Sequence, residues 1–192
     1  MKILKPLIAT VLLFSILGNA QKKDYLVLKN NDTIYGEKLI FNRKGTGVKV
    51  GKNKTIFPDS LIIGYYDSHY DSPHELVISP LPWDKDKPGK KAFIRRLING
   101  KIKLYYELLN PTPGAYYGFY ISKDTSKLKY IADCKNYNIR QRVLIKNKEE
   151  IIEILRKFVS DSPKVNVILD TISTKKFDLK EIVEIYNSSY KE

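Results

Sequence analysis

The segment from residue 67 to residue 75 holds the densest group of potential metal ligands in this sequence. Its two histidines and three carboxylates are Asp67, His69, Asp71, His74 and Glu75. Imidazole and carboxylate groups are ligands of zinc, and also of copper or nickel. This set predicts a metal site, belonging either to a metal-dependent enzyme or to a metal binder. The alternative is a solvated loop in which Asp, Ser and Pro serve the turn.

A second candidate for chemistry is the basic segment from residue 84 to residue 103, with eight Lys and Arg against two Asp. Asn99-Gly100 lies between two β-prone runs and predicts a type I′ hairpin. A basic strip on this hairpin would bind anionic lipid, acidic polysaccharide or an acidic envelope protein, whereas nucleic acid fits an exported protein poorly. The predicted anion-binding residues are Arg96, Lys101, Lys103, Tyr105, Lys90 and Lys91. The alternative is a solvated lysine-rich surface.

The predicted register places Arg96 opposite Lys103 on the solvent face of this hairpin. Like charges that face each other destabilise a sheet unless a carboxylate or another anion lies nearby. The other face of the hairpin is predicted to be its core side, because it carries Leu97, Ile102 and other apolar residues. Arg95 is the exception on that core side.

Tyrosine is abundant, with 14 residues that include adjacent pairs at 65–66, 105–106 and 116–117. Tyrosine is favoured in strands, so one interpretation is strand packing with one ring of each pair pointing inward. The alternative is an aromatic platform on which a ligand stacks. The sequence leaves both interpretations open.

Composition limits the classes of function. Apolar residues make up 43% and charged residues 29% of 192 residues, which is typical of a globular chain and excludes collagen-like and disordered classes. Cys134 is the single cysteine, which excludes an intrachain disulfide framework; it is predicted to be a buried thiol or, alternatively, to form an intermolecular disulfide. Because neither a nucleophile elbow nor a cofactor motif is found, we expect no cofactor and favour a non-catalytic protein over an enzyme.

Residues 1–20 are typical of a cleaved signal peptide. Lys2 and Lys5 precede an apolar run at 7–17, and small residues lie at the expected cleavage point after Ala20. A membrane anchor is the alternative, but the run is shorter than the ~20 residues that span a bilayer. This segment predicts a periplasmic, envelope or secreted protein without a transmembrane segment after processing.

The order of predicted elements favours an α+β fold. Short strands and turns fill the N-terminal part, which predicts an antiparallel small meander or partial barrel plus the hairpin. Helix signals follow at Asn147, Ser162-Pro163 and Asp178. Residues 21–192 are predicted to form one domain, and the proline-rich loop 80–91 is the place where a sub-boundary would fit.

Five motifs in this order resemble those of a loose group of uncharacterised exported proteins of Bacteroidota-type bacteria. They are the Asp-Thr-Ile-Tyr-Gly hairpin at 32–36, the Phe-Pro-Asp to Gly-Tyr element at 57–65, the Gly-Lys-Ile-Lys-Leu-Tyr-Tyr strand at 100–106, the strand at 120–123 and a helix ending in Tyr186-Asn187. The resemblance implies an envelope or secreted location. It implies no catalytic residue, since the group has no established activity.

Overall fold

The computed structural model describes residues 23–79, 89–110, 116–124, 126–135, 144–145, 149–171 and 177–190. The predicted signal peptide at 1–20 and most of the loop 80–91 lie outside these ranges, as does the side chain of Cys134. Within them, no helix is both long enough and apolar enough to cross a membrane.

Strands dominate the first two thirds of the described chain, and helices follow. The strands are β1 (Asp24–Leu28), β2 (Thr33–Gly36), β3 (Lys38–Asn42), β4 (Gly45–Val50), β5 (Asn53–Phe57), β6 (Ile62–Asp67), β7 (Ser72–Ser79), β8 (Lys90–Ile98), β9 (Ile102–Asn110), β10 (Tyr116–Lys123), β11 (Lys129–Lys135), β12 (Leu144–Ile145) and β13 (Phe177–Asp178). The helices are α1 (Glu149–Val159), α2 (Pro163–Thr171) and α3 (Leu179–Ser188). This order confirms the predicted α+β class.

Eight strands form one antiparallel sheet in the order β11-β10-β9-β8-β7-β6-β1-β2. Strands β3, β4 and β5 form a separate three-stranded sheet, and β12 pairs with β13. Strand β7 pairs directly with β8, with Ser79 opposite Lys90. The large sheet is therefore continuous across the proline-rich loop.

The two ends of the large sheet are covered by different layers. At the β1–β6 end, the three-stranded sheet completes a core that includes Leu26, Leu39 and Val48. At the β9–β11 end, the three helices complete a larger core in which Leu104 and Phe119 of the sheet are fully buried. The amphipathic stripes of the helices supply the apolar face that this end requires.

Helices α2 and α3 begin where the sequence signals predict, whereas Asn147, the signal for the first helix, lies outside the described residues. Helix α2 starts at Pro163, a residue that is suited to the first helical position because its missing N–H has no partner there. Asp178 caps α3, since its side chain accepts a hydrogen bond of 3.0 Å from the backbone nitrogen of Lys180.

Two glycines lie where the backbones of β4 and β5 come close together. Gly45 and Gly47 open strand β4, after a turn at 43–44. A Cβ atom at Gly45 would lie 2.0 Å from the carbonyl oxygen of Phe57, and one at Gly47 would lie 2.1 Å from that of Thr55. Glycine is required because the backbone of β5 passes too close for any side chain.

The β8–β9 hairpin also differs from the predicted two-residue turn. Strand β9 starts only at Ile102, and Arg96 lies opposite Tyr105 instead of Lys103, with a register shift before Ile98. The reason is a contact with α3: buried Asn187 accepts a 2.9 Å hydrogen bond from the Ile102 nitrogen and donates a 2.8 Å bond to the Ile102 oxygen. These two bonds hold the hairpin loop open at the helix.

Candidate functional site

Four neighbouring strands place four side chains in one row on the same face of the large sheet. Tyr65 lies opposite His74, His74 opposite Arg95, and Arg95 opposite Tyr106. Residues that are directly opposite in neighbouring strands share a face. The row joins the two ends of the sheet, because Tyr65 packs against the core at the β1–β6 end and Tyr106 belongs to the core under the helices.

A cavity of about 450 Å³ lies over this row. Five of the nine described residues that line it are tyrosine or phenylalanine. The lining residues are Tyr65, Tyr70, His74, Phe93, Arg95, Tyr106, Glu107, Leu108 and Tyr117. The volume is within the range of small-molecule sites, about 300–1,000 Å³.

Arg95 is half-buried and is held from three directions. Its Nε donates a 3.0 Å hydrogen bond to Nε2 of His74, and its Nη1 donates a 2.8 Å bond to the Tyr106 hydroxyl. Its guanidinium carbon lies 4.0 Å from the centre of the Tyr70 ring. Three of the five guanidinium N–H groups have no partner in the described part of the chain, and no described carboxylate forms an ion pair with Arg95.

His74 is neutral near physiological pH. Burial, helped by the charge of Arg95, lowers its pKa from 6.5 to about 4. Its Nδ1 lies 3.2 Å from the carbonyl oxygen of Ser72 and donates to it, so Nε2 is the acceptor that faces Arg95. Both ring nitrogens are therefore occupied, and neither is available to move a proton to or from a ligand.

The tyrosines that line the cavity keep their hydroxyl protons, and their rings pack against neighbouring rings. The Tyr65 ring stacks on the His74 ring at 4.3 Å, and Tyr106 lies 6.1 Å from Tyr117. Burial raises the pKa of Tyr65 to about 12 and also raises the pKa of Tyr106. These hydroxyls are therefore neutral hydrogen-bonding groups, and the cavity walls gain no negative charge from them.

The five predicted metal ligands do not converge, and the metal-site prediction is corrected on this point. His74 faces the cavity while Glu75, the next residue of β7, faces the opposite side, because successive side chains of a strand alternate. Asp67 accepts a hydrogen bond from the backbone of His69, and Asp71 accepts one from a tyrosine hydroxyl. Across the described ranges, no group of three or more His, Cys, Asp and Glu could hold a metal ion.

The predicted anion-binding residues divide between two carboxylates. On the face opposite the cavity, Glu75 forms an ion pair with Arg96, lies 3.4 Å from Lys103 Nζ and accepts a 2.6 Å hydrogen bond from Tyr105. The prediction that Tyr105 is available to bind an anion is wrong, because its side chain is almost fully buried. Burial and the charge of Arg96 lower the pKa of Lys103. Glu75 is thus the carboxylate that makes this group of like charges tolerable.

Lys101 belongs to a different cluster, around Asp161 in the α1–α2 turn. Asp161 accepts hydrogen bonds from Lys101 at 3.1 Å, Lys123 at 2.8 Å and the Tyr186 hydroxyl at 2.9 Å. Although desolvation opposes it, these bonds hold the pKa of Asp161 well below its usual value. Of the two remaining predicted residues, Lys91 is exposed, and the side chain of Lys90 lies outside the described set.

Sequence reasoning singled out His74 and Arg95 separately but missed the cavity that joins them. It also missed Tyr70 and Phe93, which carry no sequence signal of their own. The tyrosine pairs were the available signal, since Tyr65, Tyr106 and Tyr117 each supply one ring of a pair to the cavity. Pairing alone did not show that these rings share a face.

Comparisons of this chain with protein families, with curated proteins and with solved structures find no match. No residue role is carried over from a relative, and the resemblance to exported proteins stays a prediction. The function is therefore inferred from the geometry around Arg95.

Proposed function

We propose that this chain is an exported, non-catalytic accessory protein of the cell envelope or the secreted fraction, and that it binds an anionic partner at Arg95. The observation that carries the proposal is the environment of Arg95. This cation lines the cavity between a neutral histidine and a tyrosine hydroxyl, without a carboxylate in ion-pair distance in the described part. Guanidinium groups recognise carboxylate and phosphate through paired N–H donors.

The charge balance favours an anion as the partner. A half-buried cation is stabilised by a nearby negative charge, because withdrawal from water penalises an isolated charge. Arg96, the next residue, has such a charge in Glu75. Arg95 instead hydrogen-bonds to His74, which supplies an acceptor but no charge.

The side chains around Arg95 suit binding better than catalysis. Both nitrogens of His74 are engaged, and the tyrosines that line the cavity with raised pKa values keep their protons. The export part of the proposal rests on the predicted signal peptide at 1–20 and on the resemblance to exported proteins.

A second candidate function uses the opposite face of the same hairpin. Arg96 and Lys103 share one carboxylate, so this group keeps an excess positive charge. Such a surface would bind an anionic lipid, an acidic polysaccharide or an acidic envelope protein. This interaction would weaken with salt, because the screening length falls from about 10 Å at 0.1 M to about 3 Å at 1 M ionic strength.

One matched pair of variants separates the two candidates. Arg95→Gln and Arg96→Gln remove the same charge from adjacent residues on opposite faces. Each variant is tested by calorimetry against benzoate and phenyl phosphate, and by sedimentation with phosphatidylglycerol vesicles. The proposal predicts that Arg95→Gln loses the small anions while Arg96→Gln keeps them.

The opposite pattern would favour the second candidate: vesicle binding that is weakened in Arg96→Gln and unchanged in Arg95→Gln. If wild type binds neither the small anions nor the vesicles, both candidates are wrong. Circular dichroism and thermal melting of each variant check that the fold is retained.

A further inference from the structure

We infer that the partner of Arg95 is an organic monocarboxylate with a flat ring as its body, and that it binds in the cavity shared by β6 to β10. The inference rests on the proposed function and adds the chemical class of the ligand. It follows from the number of charges that line the cavity, the fixed geometry of the guanidinium and the aromatic character of the walls.

The charges favour a single negative charge on the ligand. Among the described residues that line the cavity, Arg95 is the one cationic side chain, since His74 is neutral. Glu107 also lines the cavity, but its carboxylate accepts a hydrogen bond from the hydroxyl of Tyr120, which shares the opposite face of the sheet with Tyr105. A phosphate dianion would meet a single positive charge among the described lining residues, whereas a carboxylate is neutralised by Arg95 alone.

The guanidinium group presents a planar edge. Its Nε and Nη1 are held by His74 and Tyr106, and the ring of Tyr70 covers one of its faces at 4.0 Å. The remaining N–H donors lie in the plane of the group, so an anion must approach in that plane. A planar carboxylate satisfies this geometry with two oxygens.

The cavity also determines what the rest of the ligand is. A volume of about 450 Å³ is far larger than a carboxylate, so most of a bound ligand would contact the walls. In the described part of the chain, five tyrosine and phenylalanine rings line those walls, with Leu108 as the one aliphatic residue. Aromatic rings in offset or edge-to-face arrangements favour a flat ring over a flexible acyl chain.

Four matched probes test this ligand class by isothermal titration calorimetry at neutral pH. They are 2-naphthoate, its neutral amide 2-naphthamide, the dianion 2-naphthyl phosphate and the aliphatic decanoate. We expect 2-naphthoate to bind at least about tenfold more tightly than 2-naphthamide, because the amide lacks the charge that strengthens the hydrogen bonds to Arg95. We also expect it to bind more tightly than 2-naphthyl phosphate, because of the single positive charge, and than decanoate, because of the aromatic walls. Arg95→Gln should bind 2-naphthoate no better than 2-naphthamide, and Arg96→Gln should bind it as wild type does.

Two further variants keep the test valid if Arg95→Gln does not fold. Arg95→Lys retains the charge without the planar pair of donors, and we expect it to lose most of the preference for 2-naphthoate. Tyr106→Phe removes one hydroxyl that holds the guanidinium, and we expect a loss of about threefold or more, as for one neutral hydrogen bond.

The outcomes distinguish this inference from the proposed function. If 2-naphthyl phosphate or decanoate binds more tightly than 2-naphthoate and depends on Arg95, the ligand class is wrong while the proposed function stands. If 2-naphthoate binds equally well to Arg95→Gln and wild type, or if no anion binds, both are wrong.

Discussion

Arg95 and Arg96 are adjacent residues of one strand, yet they occupy opposite electrostatic environments. Arg96 faces Glu75 in a group with Lys103 and Tyr105, on the side of the sheet that the sequence marks as basic. Arg95 faces the neutral ring of His74 within a cavity. The difference teaches that the number of charges in a segment does not locate an anion site. The proposed function instead places the anion at the cation that has no carboxylate in ion-pair distance among the described residues.

The largest difference between the two faces should appear in stability. Leu104 is fully buried under the helices on the Arg95 face, whereas its neighbour Lys103 is half-exposed on the Arg96 face. Leu104→Ala should lower the free energy of unfolding by about 2–5 kcal/mol, because it leaves a cavity in the core. Lys103→Ala should lower it by less than about 1 kcal/mol. Urea titrations measure both, and equal effects would contradict the assignment of the faces.

The second prediction concerns pH, since the Arg95 face contains a buried histidine. His74 has a folded pKa of about 4 against 6.5 when unfolded, so the unfolded chain binds the proton first. The favourable contribution of neutral His74 to the free energy of unfolding is complete above pH 6.5. It is lost as the pH falls towards 4, and the loss amounts to at most about 3 kcal/mol. The charged or titratable side chains that contact the ring are Arg95 and Tyr65.

Urea titrations between pH 7 and pH 4 test this dependence. We expect His74→Gln to remove much of the slope between these pH values, and His69→Gln, in the exposed β6–β7 turn, to leave it unchanged. A wild-type slope that persists in His74→Gln would show that another group is responsible.

The third prediction concerns the contact between Asn187 of α3 and the loop end of the β8–β9 hairpin, the hairpin that carries both arginines. Asn187→Ala removes both hydrogen bonds to the Ile102 backbone and leaves two buried polar groups without these partners. The unfolding free energy should fall by about 2 kcal/mol. The adjacent Ser188→Ala, on the exposed side of α3, serves as a control with a loss below about 0.5 kcal/mol. Thermal unfolding followed by circular dichroism compares the two.

The smallest effect is expected on the Arg96 face. Glu75→Gln leaves Arg96 and Lys103 close together without their shared carboxylate, and should cost about 1 kcal/mol or less at low salt. Because these groups are partly exposed, the loss should shrink as sodium chloride screens the repulsion. Urea titrations at low and high salt measure the change. A loss that does not depend on salt would mean that Glu75 acts through packing instead of charge.

Much of the fold could be predicted because its signals are local. The turn at Asn30-Asn31-Asp32, in which Asn31 has a φ of 68°, the start of α2 at Pro163 and the cap at Asp178 follow from conformational preferences of single residues. The alternation of side chains along β8 also predicted that Arg95 lies on the core side of the hairpin, as a charged residue on an otherwise apolar face. That exception is the residue on which the proposed site depends.

The site itself required pairings between distant parts of the chain. Strand β7 meets β8 across the loop 80–89, and only that pairing places His74 beside Arg95 and Glu75 beside Arg96. The metal prediction failed for the same reason, since proximity in sequence does not show which face a side chain occupies.

The sequence by itself determined the class of fold, the starts of α2 and α3 and the alternation that separates Arg95 from Arg96, because each depends on residues that are neighbours or alternate along the chain. The tertiary structure alone decided the register of the hairpin, through Asn187 of α3, and the cavity, through rings from five strands or turns. Such contacts join residues far apart in sequence, and their register is set by packing against other elements, which local preferences do not encode.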